Sequence, residues 1–250
     1  MRILVTAGNT QAPVDRVRCL TNIFSGRTGT RIALEARQHG HTVGLLTSHP
    51  EVVRDLAPRP STIGKQWHVG RYRTFEQLRA SLAEQVKRAK LDAIVHSAAV
   101  SDYFAAGVYA AAAGTRFDCE TGAWSGKPGP RLEDRAAGKI RSDEPELWLR
   151  LVRAPKIIDM IRHEWKFRGV LVKFKLEVGI SDEELQAIAE RSRVASSADL
   201  MVANTFEGAK NWALFGPIAG RYVKLPRTEL ASSLVAEVER IHAEKAKANG

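Results

Sequence analysis

Short apolar runs alternate with amphipathic stretches along most of the chain, and the spacing within each predicts its element. Residues 2–6 (RILVT) form a largely apolar run, as in a parallel strand buried on both faces. Residues 27–39 place Ile32, Ala33, Leu34 and Ala36 inward at helical spacing and stop at Gly40; residues 41–47 (HTVGLLT) return to a strand and complete a βαβ unit. Pro50, Pro58 and Pro60 mark an irregular crossover. Helical spacing resumes over 75–90 through Phe75, Leu78, Leu82 and Val86, and 91–97 is a third strand-like run. Further on, 146–152 (ELWLRLV) alternates as a half-exposed strand, Pro155 opens a helix reaching about 164, and 169–177 (GVLVKFKLE) is a strand. Ser181 and Glu184 form a capping box, 200–204 is a short buried strand, 221–225 an edge strand and 228–247 a terminal amphipathic helix. Between Phe104 and Gly138 the pattern dissolves into Ala, Gly and Pro with scattered charge, which predicts a flexible flap, 104–152, inside a single domain of residues 1–250. No internal repeat is visible.

Strands alternating with helices, each strand nearly all apolar, predict an α/β fold with a mainly parallel sheet covered on both faces. Such sheets bind ligands beyond the carboxyl ends of their strands, at the switch point. The unusual small and polar residues fall at those ends: TAGNT after the first strand, Ala98-Ala99-Val100-Ser101-Asp102 after the third, and Ala203-Asn204 after the strand at 200–204. The first strand-to-helix connection runs roughly 20 residues, where about 2–6 is usual in α/β units. It carries Gly8 at one end and Ser25, Gly26 and Gly29 at the other, residues that let backbone amides and a helix N-terminus approach an anion. The spacing is neither G-x-G-x-x-G nor G-x-x-x-x-G-K-[ST], so the ligand is read only as one bearing phosphate.

Composition narrows the picture. With 250 residues, 44% hydrophobic and 26% charged, the chain can bury a sizeable core. No apolar run approaches the ~18–20 residues of a membrane span, and MRILVTAG lacks the regions of a signal peptide, so a cytoplasmic protein with no membrane partner is expected. Cys19 and Cys119 are read as free thiols. The formal charge of +10 admits nucleic acid, an anionic surface or small polyanions, but the basic residues are scattered with no aromatic ladder, so no nucleic acid is expected. The seven His residues show neither ligand spacing nor a triad with Ser and a carboxylate, so no protein-bound metal is expected.

Seven segments occur in one order: VTAGNT with Pro13, VRCLTNIFSGRTG, HSAAVSDY, GKIRS, VRAPKII, VKFKLE and MVAN, covering most of residues 2–205. In that order the chain resembles phosphopantothenoylcysteine synthetase, the coenzyme A pathway ligase that joins 4′-phosphopantothenate to cysteine. It is most similar to the stand-alone form, with its long insertion before the K-I-x-S segment and no decarboxylase domain. Two positions depart from the family: Asn9 stands at the usual second glycine of the first turn, and Phe24 replaces the first residue of the Ser-Ser or Ser-Thr pair.

The resemblance implies a Rossmann-like fold with a dimerisation flap, a homodimer, and a reaction through an acyl-nucleotidylate, with CTP or ATP as co-substrate. Mg²⁺ would ride mainly on the phosphates, as that hard cation prefers. Asn22 then matches the family asparagine that donates to the acyl oxygen, and Lys139 the lysine that closes over the triphosphate. Gly8, Ser25, Gly26 and Gly29 would approach the nucleotide phosphates, Pro155, Lys156, Ile157 and Ile158 line the base, and Phe174 and Asn204 contact the nucleotide. Arg18 would reach the phosphate of phosphopantothenate across the dimer, while Ala98, Ala99 and Asp102 receive the pantothenoyl arm. The competing expectation is a noncatalytic nucleotide- or flavin-binding protein of the same fold.

Overall fold

The computed structural model describes residues 1–57 and 66–248. Its elements run β1 (Arg2–Ala7), β2 (Gln11–Pro13), β3 (Cys19–Thr21), α1 (Arg27–Gln38), β4 (Thr42–Thr47), α2 (Glu51–Leu56), β5 (Trp67–Arg71), α3 (Phe75–Arg88) and β6 (Ala93–His96). Then follow β7 (Tyr103–Ala111), β8 (Arg116–Asp118), β9 (Ala123–Ser125), β10 (Leu132–Asp134) and β11 (Trp148–Arg153). The chain ends with α4 (Ile157–His163), β12 (Val170–Glu177), α5 (Asp182–Ala195), β13 (Leu200–Thr205), β14 (Trp212–Ile218), β15 (Arg221–Pro226) and α6 (Leu230–Ala248). They group into two compact units, one of residues 1–10, 23–100 and 156–250, the other of residues 11–22 and 101–155.

The first unit holds one eight-stranded sheet in the order β15-β14-β13-β12-β6-β1-β4-β5. From β5 to β13 every neighbouring pair is parallel, and β14 and β15 add antiparallel pairs at one edge. Taken in chain order, the six parallel strands are doubly wound: the chain moves outward from β1 through β4 to β5, then returns to β6 on the other side of β1. Alternation along the strands feeds two apolar layers. Ile3, Val5, Val43, Leu45, Val95, Val172 and Val202 join Ile32, Ala33 and Ala36 of α1 and Leu230, Leu234, Val235 and Val238 of α6 in one cluster. Met201, Ala203 and Leu214 join Leu185 and Ala189 of α5 in another. Thr74 and Ser181 cap α3 and α5 with complete capping boxes, the second as the sequence predicts. No described helix is long and apolar enough to cross a membrane.

The second unit carries a three-stranded antiparallel sheet, β10-β7-β11, and two hairpins, β2–β3 and β8–β9. Strands therefore run through the stretch expected as a flap. Phe117 and Trp124, cross-strand partners in the β8–β9 hairpin, meet Trp148 from β11 with ring centroids 4.5–5.1 Å apart, a compact apolar nucleus that needs no sequence periodicity. The unit is also broader than 104–152, because the β2–β3 hairpin belongs to it.

Smaller corrections have local causes. α4 begins at Ile157 with Lys156 as N-cap, so Pro155 precedes the helix instead of opening it. β11 is mostly exposed, more so than its alternation suggests. β14 escapes periodicity because Gly216-Pro217 interrupts its apolar run. Pro50 caps α2, whereas Pro58 and Pro60 lie outside the described residues.

The start of α1 depends on a glycine. Gly26, the N-cap, has φ +78, and a Cβ there would stand 2.2 Å from the Gly8 amide nitrogen and 2.8 Å from its Cα. Gly40, just past α1, has φ +85 with nothing within 4 Å of such a Cβ. Gly26→Ala should therefore cost about 2–4 kcal/mol of unfolding free energy, left-handed strain plus backbone displacement, and Gly40→Ala only about 1 kcal/mol. Urea denaturation of the two variants measures the difference.

Candidate functional site

The crevice of the first unit opens where the winding reverses, between the carboxyl ends of β1 and β6. Thr6 organises it: its carbonyl accepts from the Ser97 hydroxyl at 2.7 Å, and its own hydroxyl meets His96 Nδ1 at 2.9 Å and the Ala98 amide at 3.2 Å. Beyond the strands, the Ala99 amide donates to the Gly8 carbonyl at 2.8 Å and the Thr10 amide to the Ala99 carbonyl at 3.2 Å. Gly8, Ala98 and Ala99 are thus brought side by side.

The start of α1 closes over the same place. Gly29 lies so near β1 that a Cβ would fall 2.3 Å from Ser97 Oγ and 2.8 Å from Ala7 Cβ. Ser25 precedes the cap, and the first turn of α1 has neither a side-chain cap nor an acidic residue. Its leading amides point out of the helix with the positive end of the dipole. Asn9 is accommodated without reopening this turn, because its Oδ1 accepts from Ser48 Oγ at 3.0 Å and lies 3.2 Å from His49 Nε2.

Arg227, which sequence reasoning missed, joins this corner to the end of β13. Its guanidinium donates to Asn204 Oδ1 at 3.3 Å and to the Thr28 hydroxyl in the first turn of α1. Both partners are neutral. Burial first, and then the charge of Arg31, hold the guanidinium below its ordinary pKa. Two arginine charges with these surroundings favour an anion. The Asn204 amide also donates to the Trp212 carbonyl, so both ends of it are already engaged by protein. Phe174, one strand over, packs partly buried against the core cluster, the ordinary role of a core phenylalanine. Ile157 and Ile158 are 1% and 7% exposed, so only the backbone of that turn can face a ligand, while Lys156 remains exposed.

In the second unit the predicted residues gather around one that was not predicted, Asp15. Its Oδ1 accepts from the amides of Val17 and Arg18 at 2.8 and 2.7 Å, and its Oδ2 from Arg18 Nη2 at 2.7 Å and the Ile140 amide at 3.1 Å. Arg18 Nη2 closes the loop on the Ile140 carbonyl at 2.9 Å, and the Arg16 amide donates to the Gly138 carbonyl at 3.1 Å. Lys139 therefore sits exposed between two anchored peptide groups. The Arg18 guanidinium, with backbone donors behind it, holds the Asp15 carboxyl well below the usual carboxylate range. D-x-x-R in a loop is the one sequence signal that could have flagged it, as an Asx turn. Asn22 is half-buried, while Asp102 is exposed and anchored through its carbonyl, which accepts from the Ala154 amide at 2.8 Å; Pro155 is exposed.

Residues 1–112 match the family model described as DNA/pantothenate metabolism flavoprotein C-terminal domain. The coenzyme A biosynthesis bifunctional protein CoaBC of Thermococcus kodakarensis is 33% identical over 96% of this chain and 51% of its own length. The structure of the DNA/pantothenate metabolism flavoprotein from Streptococcus pneumoniae superimposes with a TM-score of 0.75 at 26% identity, covering 97% of this chain and 100% of that one. The chain is similar in sequence and fold to these pantothenate- and coenzyme A-metabolism proteins. A variant of Cab2 in complex with phosphopantothenate-cysteine shares the fold, with a TM-score of 0.70 at 18% identity, covering 100% of this chain and 89% of that one. The chain spans about half the length of the curated relatives it matches, 51% for the CoaBC proteins of T. kodakarensis and Haemophilus influenzae.

Each unit gives one prediction. Burial, and then the charge of Lys173, push His96 from 6.5 down to about 4, so the folded state keeps it neutral. Below pH 6.5 the unfolded chain takes up a proton that the folded chain refuses. Stability should thus be whole above pH 6.5 and fall by about 3 kcal/mol as pH drops to 4. Urea melts across that range should show a shallower decline for His96→Gln. Asp15→Asn should speed hydrogen exchange at the Ile140 amide by more than about tenfold, the equivalent of a lost charged hydrogen bond, while leaving exchange in β1 and β6 unchanged.

Proposed function

We propose that this chain joins 4′-phosphopantothenate to L-cysteine through an acyl-nucleotidylate, with CTP or ATP as co-substrate. The observation that carries this reading is the crevice at the β1/β6 switch point: uncapped amides of α1, close-approach glycines and an arginine bonded only to neutral groups. Those donors suit a polyphosphate, and the family likeness supplies the identity of the acyl and amine partners. Amides, hydroxyls and guanidinium groups do not make a cage for a hard cation, so Mg²⁺ would arrive on the phosphates.

In the proposed reaction the pantothenate carboxylate attacks the α-phosphate, pyrophosphate leaves, and the cysteine amine then displaces the nucleotide. Both steps build negative charge on oxygen, which positioned donors stabilise better than any protein nucleophile would. Asn22 is assigned to the acyl oxygen and Lys139 to the departing pyrophosphate. Arg141 cannot take over from Lys139, because its guanidinium pairs with Asp143. Arg18, held by Asp15, is assigned to the substrate phosphate, and Ala98, Ala99 and Asp102 to the pantothenoyl arm. Leu132, Leu149 and Leu151, each 39–45% exposed on the three-stranded sheet, support a homodimer through that sheet. The setting proposed for the reaction is the cytoplasm.

Pyrophosphate release is the test, with 4′-phosphopantothenate, Mg²⁺ and CTP or ATP, run with and without cysteine. Asn22→Ala should bind nucleotide normally and lose turnover by about 10²–10³. Lys139→Gln should instead slow the nucleotidyl-transfer half-reaction itself. Nucleotide retained without any pyrophosphate release would favour the noncatalytic binding protein and overturn the ligase reading.

A further inference from the structure

The corner between α1 and β4 carries His39-Gly40-His41, and α6 brings Glu239 to it from 198 residues away. Glu239 Oε1 lies 3.0 Å from His39 Nδ1 and 2.7 Å from His41 Nε2. Among the described residues these three are the one set whose ligand-capable atoms all fall within 4.8 Å of one another. Two imidazoles and one carboxylate form a donor set used for borderline divalent ions. Nothing in the proposed ligase chemistry calls on them.

The local geometry is that of a held site. His39 turns its second nitrogen, Nε2, toward Glu35 Oε1 at 3.4 Å, the carboxylate–histidine arrangement that fixes the orientation of metal-ligating rings. The backbone carrying both rings is pinned: the Gly40 amide donates to the Arg37 carbonyl at 3.0 Å and the His41 amide to the Ala36 carbonyl at 3.2 Å. On the other side, α6 is anchored by Leu234, Val235 and Val238 in the main core. Bonds of about 2.0–2.1 Å to a tetrahedral ion separate its ligand atoms by roughly 3.3 Å. The observed 2.7 and 3.0 Å need to open by a few tenths of an ångström, and the two ring nitrogens, which lie within 4.8 Å of each other, need to settle near the same value. His41 Nδ1 lies 3.4 Å from the Met1 amino group, which would have to turn aside as that nitrogen takes the ring proton. Side-chain exposures of 33% for His39 and 36% for Glu239 leave the ion a way in.

We propose that His39 Nδ1, His41 Nε2 and a Glu239 carboxylate oxygen bind a divalent transition-metal ion, with zinc the fitting choice, and that solvent completes its coordination. The ion clamps α6 to the end of α1. Its two nitrogens and one oxygen distinguish it from a site for magnesium or calcium, which take oxygen ligands.

The test uses the full chain, stripped with a chelator and titrated with Zn²⁺ against a chromophoric competitor, and in parallel with Co²⁺. One zinc per chain, and visible Co²⁺ absorption of a nitrogen- and oxygen-ligated ion, are the expected results. His41→Gln and Glu239→Gln should each weaken zinc binding by at least about tenfold, while His163→Gln, at an exposed position on α4, should not. Zinc should also raise the melting temperature of the unaltered chain and not that of Glu239→Gln. Where a variant fails to fold, as judged by circular dichroism, the Co²⁺ spectrum of the unaltered chain decides. Absence of both Co²⁺ absorption and stoichiometric zinc overturns the proposal, and so does equal zinc affinity in the unaltered chain and both folded variants.

Discussion

The contact on which the first unit depends is the side-chain-free approach of α1 to the end of β1. A Cβ at Gly8, Gly26 or Gly29 would fall 2.2–2.3 Å from a neighbouring atom. Only because Gly26 and Gly29 lack side chains can the helix start directly above the strand end, while a Cβ at Gly8 would meet Ser48. That placement aims the first-turn amides at the reversal of the sheet and brings Thr28 within reach of Arg227. Thr6 extends the same constraint sideways, since its carbonyl and hydroxyl fix the turn after β6. This corner of the fold is therefore built by backbone, and the proposed fit to an anion rests on helix-start amides before any charged side chain is added.

The second unit uses charge where the first uses close packing. Asp15 closes contacts to residues up to 125 positions away, which orders a segment whose Gly- and Ala-rich sequence has little tendency to order itself. Each of its oxygens accepts more than one donor, so the carboxylate works as a node for backbone and guanidinium together. Arg18 and the Ile140 amide that follows Lys139 are held by this single anion, while the Gly138 carbonyl before it is held by the Arg16 amide.

The net charge of +10 acquires meaning only through partners. Arg162 pairs with Asp199, Arg193 with Glu190 and Arg240 with Glu237, and these cations serve the fold. Arg227 bonds to neutral groups beside the crevice and has Arg31 as its charged neighbour.

Much was legible in the chain itself. Apolar runs at period two and at helical spacing placed β1, α1, β4, α3, β12 and α5, because burial imposes those periods directly. Glycines at 8, 26 and 29 marked places of close backbone approach, because such contacts and left-handed backbone admit little else. What remained hidden depends on contacts without a sequence period. The trio of Phe117, Trp124 and Trp148 orders a stretch that reads as flexible; Asp15 and Arg227 take their roles from partners over a hundred residues distant; Glu239 meets His39 and His41 only through the packing of α6 on α1. Local sequence determined which elements form and where the backbone can bend to a ligand. Only the tertiary structure decided which side chains share a site, because that is set by the order of strands and the packing of helices on them, and adjacency in space then replaces adjacency along the chain.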